Sequence, residues 1–583
     1  MKKYWIILAA LALSVNLAAQ LTPAQREQDF RTLAGVFAKR YGPANWKIQA
    51  LNSNLFEISP WLERVRAAKS DIEFLEICSQ YVASLKDGHT QYIGPGNFIA
   101  DLGFYTDIYD GKLLIDFIDR SLLPAAQYPF QVGDELVSID GKPAMEALAE
   151  IAKLHDFANP KLTRRIAADR LTYRLQSSVP SAGLLGDTAT VRIQRQNGET
   201  QTYTIEWYKT GTPIKSFGAL PGFFSRKTEA RRASTLASLD NESELPLWEQ
   251  LHDRLKRWKL AGATDPFERG EKLDPESGER FSRRYILGSG SNRPVWTLPA
   301  GFAIRQGRFT TDYFFTGTYM SEGKRIGYLR IGAFDSLTAS QTQVLDSEVN
   351  YFNANTDGLV VDVMRNPGGT CSLATIAQRL MRGNSFTHFS EQYRPNRELI
   401  EFYDEIISLL ETLGAPQHLL ENYRFERGML LGAYENGRGL TGPIPACAFD
   451  LNIPTVANAY TKPMIVLVDE LSTSAADIFP AIFQDNGRAK IVGTRTGGLG
   501  GAVEGVQQAG PLSEAFTTNT ISIVLRAKEY ETPGLPKSPY IENAGVTPDI
   551  ELDYMTKDNL LQRGAPFVEA FTRIILEEIA KGN

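Results

Sequence analysis

Cysteine is scarce in this chain: Cys78, Cys371 and Cys447 are the only three in 583 residues. They lie too far apart in sequence for a disulfide framework or a metal-ligand cluster, and each is expected as a buried free thiol. Histidine is nearly as rare, with five, so chemistry that needs an imidazole has few candidates. Positive charge is not in excess: 62 Lys and Arg stand against 68 Asp and Glu, a net charge of -6, and no long basic run interrupts the balance. That removes the electrostatic footprint of a nucleic-acid partner. Long apolar runs are also missing once the amino terminus is passed, so no membrane span is expected.

The one short apolar run opens the chain. In "MKKYWIILAALALSVNLAAQLTPAQ", Lys2 and Lys3 precede apolar residues from Tyr4 to Val15 and then the small Ala18 and Ala19. This pattern reads as a secretory signal over residues 1–19, cleaved near Ala19 and Gln20, and predicts an exported chain, periplasmic or secreted. No cysteine ends the signal to receive a lipid.

The remaining length is too great for one core and predicts several domains. Residues 20–100 carry helical periodicity in "TPAQREQDFRTLAGVFAKRYG" and "DIEFLEICSQYVASL", with Thr22 and Ser70 as N-caps and Pro23 at a first helical position. This helical unit ends at "LKDGHTQYIGPG", where turn residues bracket a short extended segment holding His89. Residues 101–210 change to short strands with a hairpin signal at Asn197-Gly198. There "YPFQVGDELVSIDGKPA" and "LGF" at Leu102 to Phe104 resemble a PDZ domain and its carboxylate-binding loop, which implies peptide capture by an edge strand. A PDZ-like spacer with a blocked groove fits the same residues. Residues 211–322 are polar and rich in Gly, Pro and charge, and read as a solvated insertion or a regulatory segment.

From 323 to 583 strand and helix patterns alternate: "KRIGYLRIGAF", "DGLVVDVM", "PMIVLVDE" and "AKIVGT" as strands, "SLATIAQRLMRG" and "SAADIFPAIFQDNG" as helices. Near-continuous apolar strands between helices predict a mostly parallel, helix-covered sheet. Two of these strands run into turns rich in polar and small residues, "VVDVMRNPGGTCSLA" and "VLVDELSTSAADIF". Ser474 begins the helix after the second turn and could be only an N-cap. Gly368 and Gly369 in the first turn can aim amide hydrogens at one point, and with the Ala475 amide they could form an oxyanion hole.

The phrases "DVMRNPGG", "VLVDELSTSAADIF", "FQDNGRAKIVGTRTGG" and "GVTPDI", in that order, resemble the serine peptidase superfamily of tail-specific (carboxyl-terminal processing) proteases, the tricorn core and the interphotoreceptor retinoid-binding protein. The similarity is greatest to the branch typified by chlamydial protease-like activity factor. It implies an α/β multidomain protein: a crotonase- or ClpP-like β/α catalytic domain, a PDZ-like domain and an N-terminal helical segment. It also implies peptide-bond hydrolysis with Ser474 as nucleophile and an oxyanion hole from Ala475 with Gly369, favoured over Gly368.

Tail-specific relatives place a dyad lysine after the Val-Gly phrase, and that position, counted from Gly493, holds Leu499, which cannot accept a proton. Lys490 opens the preceding strand and reads as solvated, and Arg495 stays protonated. The resemblance instead points to His89 as base and to Glu542, in "PYIENAGVTPDI", as the acid that orients it; Asp477 and Asp485 are weaker acids for that role. His155, His252, His388 and His418 are expected in surface or capping roles. No metal or organic cofactor is implied, the partner is a peptide or protein substrate, and a homodimer is admitted. By the same resemblance the insertion would be cut on activation. A ligand or peptide carrier without catalysis remains open, because the superfamily contains one, and so does a peptidoglycan-linked scaffold.

Overall fold

Two strands that are apolar at nearly every position, Gly358–Asp362 and Met464–Val468, lie side by side at the centre of the largest sheet and are buried along their whole length. In the computed structural model, which describes residues 20–157, 159–217, 246–252, 286–309 and 312–582, this sheet has seven strands. Their order is Ala303–Gln306, Phe314–Ser321, Lys324–Ile331, Gly358–Asp362, Met464–Val468, Lys490–Gly493 and Ile550–Glu551. The first two pairings are antiparallel and the rest parallel. Strand alternation sends Leu359, Val361, Val466 and Val468 to one face, against the helices Ala339–Asn355, Ser372–Leu380 and Ala475–Asp485. Val360, Ile465, Leu467 and Val492 face the other way, onto Phe567, Phe571 and Ile575 of the amphipathic helix Ala565–Lys581. That helix stops at Gly582 in the left-handed conformation, the C-cap geometry that glycine tolerates best.

The sheet begins upstream of Gly323. The last part of the segment expected as a polar insertion supplies the strands Ala303–Gln306 and Phe314–Ser321 and buries Trp296, so residues 286–309 and 312–322 belong largely to the unit built on this sheet. Residues 218–245 and 253–285 of that insertion, and the expected signal at 1–19, lie outside the described residues.

The N-terminal helices Pro23–Arg40, Ala44–Leu51, Ser59–Ala67 and Asp71–Ala83 have the expected caps: Thr22 and Gln25 bond reciprocally, and Ser70 accepts from the Glu73 amide. After them, Tyr92–Ile93 pairs with Ala515–Thr520, which pairs in turn with Val503–Gly510. The helical unit is thereby stitched to the C-terminal third of the chain.

Six antiparallel strands form the PDZ-like sheet: Phe104–Tyr109, Lys112–Ile118, Glu135–Ile139, Thr188–Gln194 and Thr200–Glu206 in that order, with Lys142–Pro143 paired to Glu135–Ile139 off that path. Its carboxylate-loop amides are already engaged: Leu102 N–H donates to the Thr172 carbonyl at 2.9 Å and Gly103 N–H to Asp101 Oδ1 at 2.7 Å. The edge strand Phe104–Tyr109 is wholly buried under the helix Pro160–Thr172, with Thr106 Oγ1 donating to the Ala168 carbonyl. The groove is filled by the protein itself, which answers the expectation of open peptide capture.

A buried ion network joins this unit to the catalytic sheet. Arg165 reaches Asp107 at 2.7 Å within the PDZ-like unit and Glu470 at 2.7 Å just past the strand Met464–Val468. Thr494 also donates to Glu470.

Cys371 and Cys447 form a disulfide, with Cα atoms 5.2 Å apart and a sequence separation of 76. The expectation of three free thiols is therefore corrected, and only Cys78 is free. Spacing hid the pair because the intervening chain makes a round trip through the helices Arg397–Thr412 and Gln417–Glu435. The strands Ser390–Tyr393 and Ile444–Pro445, which flank that excursion, meet as neighbours.

Two stability predictions follow from buried charge. Arg165→Met should cost about 3–5 kcal/mol in denaturant unfolding, because Asp107 and Glu470 lose their shared cation; an unchanged midpoint would contradict the network's role. His388 is buried among Phe386 and Phe389, and burial lowers its pKa from 6.5 to about 3. The unfolded chain therefore binds a proton that the folded chain refuses, and stability falls as pH drops through that window by about 1.4 kcal/mol per pH unit from this residue. His388→Phe should flatten the acid side of a plot of unfolding free energy against pH.

Candidate active site

The parallel strands Gly358–Asp362 and Met464–Val468 end at the same edge of the sheet, so the turns that follow them lie side by side. They are sewn together: Ser472 Oγ donates to the Val363 carbonyl at 2.8 Å and Thr473 N–H to the Asn366 carbonyl at 3.0 Å. Ser474 follows at φ 58°, ψ -120°, an unusual conformation for a residue with a side chain, and heads the helix Ala475–Asp485. Such a turn lifts the serine off the strand and sets it at the positive end of the helix.

The neighbouring glycines differ in what their amides do. Gly368 N–H donates to Asn366 Oδ1 at 2.8 Å and its carbonyl accepts from Phe334 N–H at 2.7 Å. Among the described residues, no partner takes the N–H of Gly369 or of Ala475. Both glycines need φ values that side chains rarely adopt, 101° and 137°. A Cβ on Gly368 would stand 2.6 Å from that of Ser474, and one on Gly369 would stand 2.3 Å from the Phe334 carbonyl oxygen. Only glycines let the two turns approach this closely.

Asp477, read from sequence as a weaker acid candidate, organises the serine's surroundings. Its buried carboxylate accepts from Ser474 N–H at 2.8 Å, Gly498 N–H at 2.8 Å, Leu499 N–H at 3.0 Å and the Thr496 hydroxyl. Burial pushes its pKa up to about 7 while these four donors pull it down. Leu499, at the place of a dyad lysine, is buried and packs in an apolar cluster with Phe157 and Leu162, and Lys490 is exposed. Asp485 is taken up by Arg526 at 2.6 Å.

His89 reaches this neighbourhood through the pairing downstream of it. Gln91 N–H donates to Thr518 Oγ1, and the Thr90 and Thr520 hydroxyls lie 3.1 Å apart. A Cβ on Gly88 would touch Leu499 at 2.6 Å, so the histidine loop abuts the Leu499 loop, which Asp477 ties to Ser474. Asp87 accepts from His89 N–H at 2.9 Å and from the Thr90 hydroxyl at 3.1 Å. The imidazole is buried, and its Nδ1 has no hydrogen-bond partner among the described residues. Burial lowers its pKa to about 4, with Asp87 acting to raise it and Lys47 to lower it.

Glu542 lies in the same buried region with a different direct partner from the one expected. Its carboxylate pairs with the Lys47 ammonium and accepts from Gly500 N–H at 3.0 Å. Burial and the nearby Asp87 push its pKa up to about 8, against the pull of Lys47. Lys47 had no signal in the sequence, because a lone lysine on an amphipathic helix ordinarily faces water. Of the other histidines, His155 bonds the Ser178 carbonyl, His252 bonds the Tyr423 hydroxyl and His418 is exposed. His388 departs from its expected surface or capping role, since it is buried and neither ring nitrogen has a partner among the described residues, and His155 is buried as well.

A cleft of about 440 Å³ starts at Thr370, one residue past Gly369, and follows the helix Ser372–Leu380 along Thr375 and Gln378, with the Cys371–Cys447 disulfide in its wall. Among the described residues no group of three or more His, Cys, Asp or Glu is placed to hold a metal, and no helix is long and apolar enough to cross a membrane.

Residues 325–552 match peptidase family S41, and residues 99–214 match a PDZ domain. A protein of Chlamydia trachomatis serovar D is 23% identical over 644 residues, covering 99% of this chain and 97% of its own. Carboxyl-terminal-processing peptidase 3, chloroplastic, of Arabidopsis thaliana is 24% identical over 262 residues, covering 44% of this chain and 38% of its own. The crystal structure of mature CPAF superposes with a TM-score of 0.69 at 20% identity, covering 96% of this chain and 98% of that one, which establishes a shared fold. Residues 325–552 thus form a peptidase family S41 domain, with a PDZ domain ahead of it, and the chain is a serine peptidase.

Proposed function

We propose that the protein is an exported serine endopeptidase in which Ser474 attacks the scissile carbonyl and His89 accepts its proton. Gly369 and Ala475 hold the developing oxyanion through their backbone N–H groups, and Glu542 compensates the imidazolium. The bond from Ser474 Oγ to the carbonyl carbon forms, His89 returns its proton to the leaving amine, and water then releases the acyl group by the reverse sequence. The observation that carries this reading is the strained Ser474 turn flanked by two N–H groups without partners among the described residues. An unpaired buried amide is costly to a fold, and a pair of them beside a serine fits an oxyanion site.

His89 and Ser474 are not hydrogen-bonded to each other in the structure, and bonds of this kind commonly tighten only once substrate is bound. The lowered basicity of His89 suits a resting base that is unprotonated at neutral pH. The cleft starting at Thr370 offers room for a peptide chain leaving the oxyanion position. Export is supported by the pattern of residues 1–19 and by the disulfide, which persists in oxidising compartments.

A fluorophosphonate probe should label the wild type on Ser474, and both Ser474→Ala and His89→Ala should lose labelling; labelling that survives Ser474→Ala defeats the assignment, and a carrier on this fold would not label at all. Asp477→Asn places an amide donor where the carboxylate accepts from four groups. It should slow labelling by at least tenfold and cost about 1–3 kcal/mol of stability, as expected for unsatisfied buried donors. Wild-type rates in that variant would show that Asp477 does not set the serine's geometry.

A further inference from the structure

Lys47 sits on the helix Ala44–Leu51 and its side chain is wholly out of solvent. Burying an ammonium is costly unless each of its donors is matched. Here all three are: Nζ lies 2.9 Å from the Lys86 carbonyl oxygen, 2.9 Å from Asn543 Oδ1, and in an ion pair with Glu542. These partners come from two segments far apart in the chain. Lys86, held at φ 50°, opens the loop that carries Asp87 and His89. Glu542 and Asn543 belong to the C-terminal segment, and Asn543 Nδ2 donates back to the same Lys86 carbonyl at 2.7 Å. Trp46 fastens the arrangement from the adjoining helical position, donating to the Glu542 carbonyl at 3.0 Å. A lysine required only for solubility would face water; this one bridges the base proposed above and its compensating acid.

We propose that Lys47 is a positioning residue for the peptidase reaction: it locks the His89 loop against the Glu542 segment, and as the buried cation of that junction it disfavours a second positive charge on the imidazole. The inference rests on the assignment of His89 as base. The charged groups that act on the imidazole are Asp87 from its own loop and Lys47 from the helix Ala44–Leu51; Glu542 from the C-terminal segment lies near Asp87 and Lys47, and burial together with Asp87 and Glu542 keeps the Tyr41 hydroxyl protonated. Asp87 favours a proton on His89, and Lys47 is the cation that opposes it.

The test is the pH dependence of the fluorophosphonate labelling rate of the full-length chain, with thermal unfolding followed at the same pH values. In Lys47→Met and Lys47→Gln the midpoint of the acid limb should rise by about one pH unit, so that labelling below both midpoints is roughly tenfold slower. The glutamine variant keeps a donor for the Lys86 carbonyl and decides the matter if the methionine variant does not fold. Asn543→Ala loosens the same carbonyl without changing charge, and should lower the plateau rate severalfold while leaving the midpoint in place. Folded Lys47 variants with an unmoved midpoint would overturn the inference and reduce Lys47 to a structural ion pair. Absence of Ser474 labelling in the wild type would instead defeat the function proposed above.

Discussion

A single buried carboxylate, Asp477, holds the geometry on which the site depends. It is the point where the Ser474 turn and the loop Thr496 to Leu499 are fastened together, through three backbone amides and one hydroxyl. In a low-dielectric interior each of those donors would be costly if left unmatched, so the carboxylate fixes both segments at once. The serine's strained backbone persists because its surroundings over-determine it. Gly368 of the facing turn comes so close that a Cβ on it would stand 2.6 Å from the Ser474 Cβ, and Gly369 packs as closely against the Phe334 carbonyl.

The second constraint is long-range pairing. His89 lies hundreds of residues from Ser474 in sequence, and it is delivered by main-chain and threonine contacts between residues 90–93 and 515–520. A buried lysine and glutamate close the same junction from the other side. Charge therefore binds the helical N-terminal unit to the C-terminal segment where apolar packing alone would permit sliding. The disulfide Cys371–Cys447 adds a covalent tie at the start of the helix that follows the glycine turn.

The PDZ domain is built into this frame. Its carboxylate-loop amides are satisfied internally, its edge strand is covered by its own helix, and Arg165 joins it to Glu470 at the end of a central strand. With the Leu102 and Gly103 amides engaged and the edge strand covered, the domain is joined through Arg165 to the sheet edge bearing the serine.

The sequence by itself determined the local elements: continuous apolar strands, capped helices, the two glycine- and serine-bearing turns and the absence of a lysine at Leu499. These are legible because strand and helix periodicity, N-caps and glycine turns act over a few residues. Which of the two glycine amides is occupied was not legible locally; in the structure the Gly368 amide is bonded to Asn366. Tertiary structure alone decided that Cys371 meets Cys447, that strands before Gly323 join the sheet, that His388 is buried, and that Lys47 joins the Lys86 carbonyl to Glu542. Each of those depends on segments distant in the chain becoming neighbours, and the free energy of burying a charge, a thiol or an imidazole is set by those neighbours rather than by the residues beside it in sequence.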